Sequence, residues 1–60
     1  MSNVDHVNVF QDDADEWRWQ AVAGNGEIVA QGEAHERKED ASRAARGVLG
    51  DDVEVREEEE

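Results

Sequence analysis

The stretch that decides the fold is Trp17-Arg18-Trp19-Gln20-Ala21-Val22-Ala23-Gly24-Asn25-Gly26-Glu27-Ile28-Val29-Ala30-Gln31. Its first half alternates, with Trp17, Trp19 and Ala21 on one side and Arg18, Gln20 and Val22 on the other. Two aromatics at a spacing of two mark a strand, because that period matches a pleated backbone and no helix. Asn25-Gly26 then tolerates the positive φ that a tight hairpin turn demands. Glu27 to Gln31 is the returning strand. A two-residue loop sets Ala21 opposite Ala30, and a four-residue loop sets Ala21 opposite Ile28. Either register is expected to place Trp17, Trp19, Ala21, Ile28 and Ala30 on one face, and Arg18, Gln20, Val22, Val29 and Gln31 on the other.

Outward from this hairpin, His6-Val7-Asn8-Val9-Phe10 alternates and predicts a first strand, joined by the polar turn Gln11 to Glu16. After Gly32 to Arg37, the apolar positions 41, 44, 45, 48 and 49 follow the i, i+3, i+4 spacing of a helix. Glu39 and Asp40 suit its first turn, and Gly50 suits a left-handed stop after Leu49. Gly47 lies inside the helix, a position that accommodates close approach to the sheet. Val53-Glu54-Val55-Arg56 predicts a short fourth strand. The expected organisation is a loose start over 1–5, one α+β domain of order β-β-β-α-β over 6–56, and a disordered acidic tail over 57–60. The expected core comprises Val7, Val9, Trp17, Trp19, Ala21, Ile28, Ala30, Ala41, Ala44, Ala45, Val48, Leu49, Val53 and Val55.

The chain has 60 residues, 17 acidic and 6 basic, for a net charge of −11, with one lysine and no cysteine or proline. So few large apolar side chains make a thin core, and small domains of this kind often need a staple. Disulfides and cysteine zinc sites are excluded, which leaves a partner subunit. No apolar run exceeds three residues, so no spanning helix is expected. A basic, apolar leader is also missing, which points to the cytoplasm. The charge repels nucleic acid, whose binding depends on cations meeting phosphates. Scarce lysine, abundant carboxylates and small apolar residues match halophilic archaeal proteins. Ordinary acidic solubility and disorder are the competing readings, and the regular patterning disfavours disorder.

Val7-x-Val9-Phe10-x-Asp12, Trp17-Arg18-Trp19-x-Ala21, Asn25-Gly26-Glu27-Ile28-Val29-Ala30, Glu33, Lys38 and Ala41 together resemble the YegP-like family of small uncharacterised proteins. The resemblance spans residues 7–49, and its specific parts are the Arg-Trp and Asn-Gly-Glu pieces. It implies a β(3)-α-β motif, two copies of which form one antiparallel sheet with exchanged C-terminal strands and helices on one face. One copy per chain then implies a homodimer, with Trp17, Trp19, Leu49, Val53 and Val55 in the core or at the seam. The chain departs from the family at Gly32 (serine), His35 (tyrosine), Ala21 (leucine) and Arg37 (a helix-capping serine or threonine). The family brings no established activity.

No constellation points to catalysis. Ser2 is terminal and Ser42 helical, neither beside a base. The acidic residues of the first turn lack the regular ligand spacing of an EF-hand. His6 and His35 have no metal-ligand spacing. The Gly24-Asn25-Gly26 turn opens a strand, unlike a phosphate loop. No metal or cofactor is expected, and no enzyme activity. A base-stacking role for the tryptophans would want flanking cations, and only Arg18 is near, on the opposite face. The candidate interaction face is the uncovered side of the sheet, where Arg18 is expected near His6, Asn8, Gln20 and Gln31. Arg18 could anchor an anionic group or a partner protein, or simply make a cross-strand pair. The expected function is a non-enzymatic module binding a protein or small anionic ligand. The alternative is a purely structural, stabilising protein with no specific ligand.

Overall fold

Two hairpins built on the same loop generate most of the sheet. In the computed structural model, which describes residues 4–58, β1 (Val4–Gln11), β2 (Trp17–Ala23) and β3 (Ile28–Gln31) precede helix α1 (Lys38–Leu49) and strand β4 (Val55–Glu57). In the first loop Asp12 N–H donates to Glu16 O and Asp15 N–H to Asp12 O; in the second, Ala23 N–H donates to Glu27 O and Gly26 N–H to Ala23 O. Each loop is therefore three residues long and places its last residue at positive φ, 63° for Asp15 and 89° for Gly26. Glycine takes that conformation freely, and aspartate is among the few other residues that tolerate it.

The three-residue loop lies between the two lengths expected from sequence, and it changes which face Ile28 joins. Val22 pairs with Ile28 next to the turn, but Ala21 pairs with Ala30, so Val29 is an extra residue in β3. This bulge turns Ile28 to the side of Val22, where it is 54% exposed instead of entering the core. A second irregularity, at Asp5, lets β1 begin at Val4, which packs against the core. The strand thus starts two residues earlier than expected. The loose start expected for residues 1–3 lies outside the described residues.

The sheet order is β3-β2-β1-β4, with β4 parallel to β1 through the pairs Val7–Val55, Asn8–Arg56 and Val9–Glu57. The sheet within this chain is therefore mixed, not wholly antiparallel, because the helix carries the chain back to the starting end of β1. The strand is also shifted. Val53 lies in the bend before it, half-buried, and Glu57 lies within it. The connector after Gly50 is long enough to bring Val55 beside Val7 of the same chain, so its length gives no reason for strand exchange.

Val7, Val9, Trp19, Ala21, Ala41 and Ala45 form the buried core, with Trp17, Ala30, Ala44, Leu49, Val53 and Val55 half-buried against it. The helix packs on β2, β1 and β4. Its buried face is consequently Ala41, Ser42 and Ala45, while Val48 is 67% exposed, contrary to the apolar spacing. Arg37 stands at the N-cap in extended geometry with no side-chain cap, as the missing serine or threonine implied. Gly50 ends the helix at φ 97° and ψ 160°, outside the left-handed helical region, with its N–H donating to Arg46 O. Gly47 has open space around it, so close helix–sheet approach does not explain it. The close approach is at Gly32, where the Trp19 ring lies.

Candidate functional site

The strand registers assemble the uncovered face row by row. Gln31 pairs with Gln20, Gln20 with Asn8, and Asn8 with Arg56. Cross-strand partners share a face, so three amides and a guanidinium form one row across all four strands. On one side of this row Phe10 pairs with Arg18, and on the other His6 pairs with Val22. The registers thus place His6, Asn8, Gln20, Gln31 and Arg18 on adjacent rows. Arg56 belongs with them, although sequence reasoning placed it only in a short strand. Its parallel pairing with β1 brings it there, and nothing local in the sequence signals that.

Arg18 stands at the end of the face, beside the first loop. Its Nε donates to Asp12 Oδ2 at 2.6 Å. The other carboxylate oxygen of Asp12 accepts the backbone N–H groups of Ala14 at 2.9 Å and Glu16 at 3.0 Å. The hydrogen bond from Arg18 holds the Asp12 carboxyl below the usual aspartate range, helped by the Glu16 N–H. The same bond raises the Arg18 guanidinium above its ordinary value. Asp12 therefore closes the first loop and engages the cation that follows it. The pair lies within one hairpin and does not cross to another strand pair.

The other basic side chains of this face are also engaged. His6 Nδ1 lies 2.9 Å from Asp5 Oδ2, and Arg56 Nε donates to Glu54 Oε2 at 2.6 Å. Its bond to the Glu54 carboxylate raises Arg56 above its ordinary value. An open hollow of about 490 Å³ lies between β1, β2 and β4, with Asn8, Phe10, Gln20, Arg56, Glu57 and Glu58 in its lining. Along the rows from Gln31 to Asn8, from Val22 to His6 and from Arg18 to Phe10, no position carries a carboxylate. Acids surround these rows, as Asp5, Asp12 and Glu54, and Glu57 and Glu58 line the hollow at the β4 side.

On the covered side, Ser42 is fully buried and its hydroxyl donates to Glu57 Oε2 at 2.6 Å. Glu58 N–H donates to Val9 O at 2.8 Å. Glu57 and Glu58 thus belong to the fold and not to a disordered tail; residues 59 and 60 lie outside the described residues. The signal for this role is weak in sequence, since Glu57 opens a run of identical charges. Trp17 is half-buried, with Lys38 Nζ 5.4 Å from the centre of its ring. Its backbone exchanges two hydrogen bonds of 2.7 Å with His35, which places His35 by its main chain. Among the described residues no three His, Asp or Glu side chains converge as metal ligands would. No helix among them is long and apolar enough to cross a membrane.

A family model described as a domain of unknown function, DUF1508, matches residues 12–50, from the first turn to the glycine that ends the helix. The NMR solution structure of a protein from Haloferax volcanii is similar at 37% sequence identity, covering 95% of this chain and 100% of that one, with a TM-score of 0.71. No curated protein gives a significant match.

Proposed function

Because the chain belongs to the DUF1508 family of YegP-like domains, we propose that it is a non-enzymatic interaction module acting as a homodimer in a salt-rich cytoplasm, with the uncovered sheet face as its binding surface. The observation that carries this reading is the carboxylate-free row Gln31-Gln20-Asn8 with its neighbours Phe10 and Val22, in a chain with 17 acids. Interface centres are depleted of charge while rims keep it. Arg18, His6 and Arg56 already have carboxylate partners at the rim. That favours a protein surface over a small anionic ligand as the partner. The net charge argues against nucleic acid for the same electrostatic reason as before.

The homodimer rests on the thin core, three of whose six buried apolar residues are alanine. An exchanged β4 keeps the pairs Val7–Val55 and Val9–Glu57 and takes them from the other chain. Mass measurement by light scattering in molar salt should give twice 6.7 kDa. A monomer of intact fold would remove the dimer from this reading. The face itself is tested by capture from native lysate at molar salt with wild type and Gln20→Glu. A protein retained by the first and lost from the second supports the face; equal retention rejects it. A purely structural role is favoured by one observation, that each basic side chain of the face has a carboxylate partner within the chain. Retention of nothing by either protein would select that role.

A further inference from the structure

The two edges of the sheet are treated differently by the sequence. Edge β4 carries Arg56 and Glu57 and is flanked by Glu54 and Glu58, charges of the kind that deter strand pairing. Edge β3, Ile28–Gln31, carries no charge. The exposed large apolar side chains of the described residues are Ile28, Val29 and Val48. Ile28 and Val29 belong to β3 itself. Val48 reaches its margin from the helix, lining an open groove of about 340 Å³ with Ala30, Gln31 and Gly32. Gly32 N–H donates to Trp19 O, so the residue before it, Gln31, turns its own N–H and C=O away from β2. The edge is therefore a short row of unpaired backbone groups with apolar side chains on both sides.

Charge decides what fits there. Glu27 and Glu33 bracket the strand at its two ends, and both are exposed. A second copy paired antiparallel about a two-fold axis would set Glu27 of one copy beside Glu33 of the other at both ends, bringing like charges together. A peptide with a cation at each end meets the same two carboxylates favourably. The two carboxylates stand six residues apart with the extra residue Val29 between them, a span of at most about 20 Å of chain. We propose that the β3 edge binds, by strand addition, an extended peptide of alternating apolar and polar residues with a lysine or arginine at each end. This surface is distinct from the uncovered face, and the proposal does not depend on that face binding anything.

The test is an NMR titration of the labelled full chain, at the lowest salt that keeps its near-ultraviolet tryptophan signal. The probes are the capped heptapeptide KVTVTVK, its acid-ended counterpart EVTVTVE, and a KVTVTVK form N-methylated at alternate amides. The expected result is saturable movement of the Ile28–Gln31 amides and Val48 methyls with KVTVTVK alone. The paired substitutions Glu27→Lys and Glu33→Lys, both on exposed side chains, should weaken KVTVTVK about tenfold and allow EVTVTVE to bind. Failure of KVTVTVK to move these signals at millimolar concentration overturns the proposal. So does equal binding of EVTVTVE or of the N-methylated form. Movement of the same signals with protein concentration alone would assign the edge to a second copy and also overturn it.

Discussion

The indole of Trp19 lies against Gly32 so closely that a β-carbon there would fall on Nε1 and Cε2 of the ring. Trp19 is the largest side chain in the buried core, so the glycine makes room for the residue on which the helix rests. Gly32→Ala should force the ring aside and cost about 2 kcal/mol. Thermal unfolding followed by tryptophan near-ultraviolet circular dichroism measures this. An alanine variant with wild-type melting and spectrum would show that the ring has space elsewhere.

The two loops differ in the residue at positive φ, Asp15 in one and Gly26 in the other. Asp15→Gly should stabilise the chain by about 0.5 kcal/mol, the relief of side-chain strain slightly exceeding the added backbone entropy of the unfolded chain. It also removes one negative charge. Chemical denaturation in molar salt isolates the backbone contribution, and a destabilised variant there would contradict the shared loop geometry.

Asp12 should titrate below its reference value of 3.8, because Arg18 and two backbone N–H groups stabilise its ionised form. A depressed folded-state value means that the unfolded chain binds the proton first. The contribution of the pair is therefore complete above the unfolded value, near pH 4, and is lost as pH falls through the folded value. Side-chain carboxyl NMR shifts read this group alone, free of the other acids. Arg18→Gln should move the Asp12 midpoint upward. An unchanged midpoint in that variant would mean that the loop N–H groups set it alone.

Folding should depend on salt. Two chains of −11 give −22 on a dimer, from 2 × (−11). The screening length falls from about 10 Å at 0.1 M to about 3 Å at 1 M. The melting temperature should rise steadily between these concentrations, in potassium and sodium chloride alike. Identical melting curves at 0.1 M and 2 M would dispose of salt adaptation.

The bond from Ser42 to Glu57 ties the helix to the last strand. Ser42→Ala should cost about 1 kcal/mol, since Glu57 is exposed enough to find water instead. Deleting residues 59–60 should leave melting unchanged. Deleting 57–60 should lower it, because Glu57 and the Glu58 N–H bond to Val9 go as well. Equal melting of the two truncated chains would take β4 out of the stability of the fold.

The legible and illegible parts of this chain separate by the range of the interaction. Trp17 and Trp19 announce β2 because a spacing of two is itself the geometry of a strand. Ala41, Ala45 and Leu49 announce α1 for the corresponding reason. Asn8, Gln20 and Gln31 could be placed on one face, since the rungs that join them, Asn8–Gln20 and Gln20–Gln31, hold no irregularity. Ile28 could not, because the bulge at Val29 follows from a three-residue loop and a register, neither of which has a residue signature beyond Gly26. Val48 fits the helical spacing but overhangs the sheet, since periodicity fixes a stripe and not where the helix sits above the strands. Arg56 and the Ser42–Glu57 bond depend on β4 running parallel to β1, a pairing between distant segments.

Val7 and Val55 are partners across β1 and β4, yet stand 48 positions apart, from 55 − 7. The two hairpins need close only three residues each, so their contacts form at small entropic cost, while the last pairing waits for the helix. During that wait the outer side of β1 is a vacant docking edge. The tether through the helix presents a chain's own β4 to it at a fixed effective concentration, and a neighbouring chain competes only as its real concentration approaches that value. Refolding from dilute solution therefore favours closure within one chain, and refolding from concentrated solution favours exchange. On the proposed exchange of β4, the final step of assembly should respond to chain concentration, read as the monomer-to-dimer ratio after refolding.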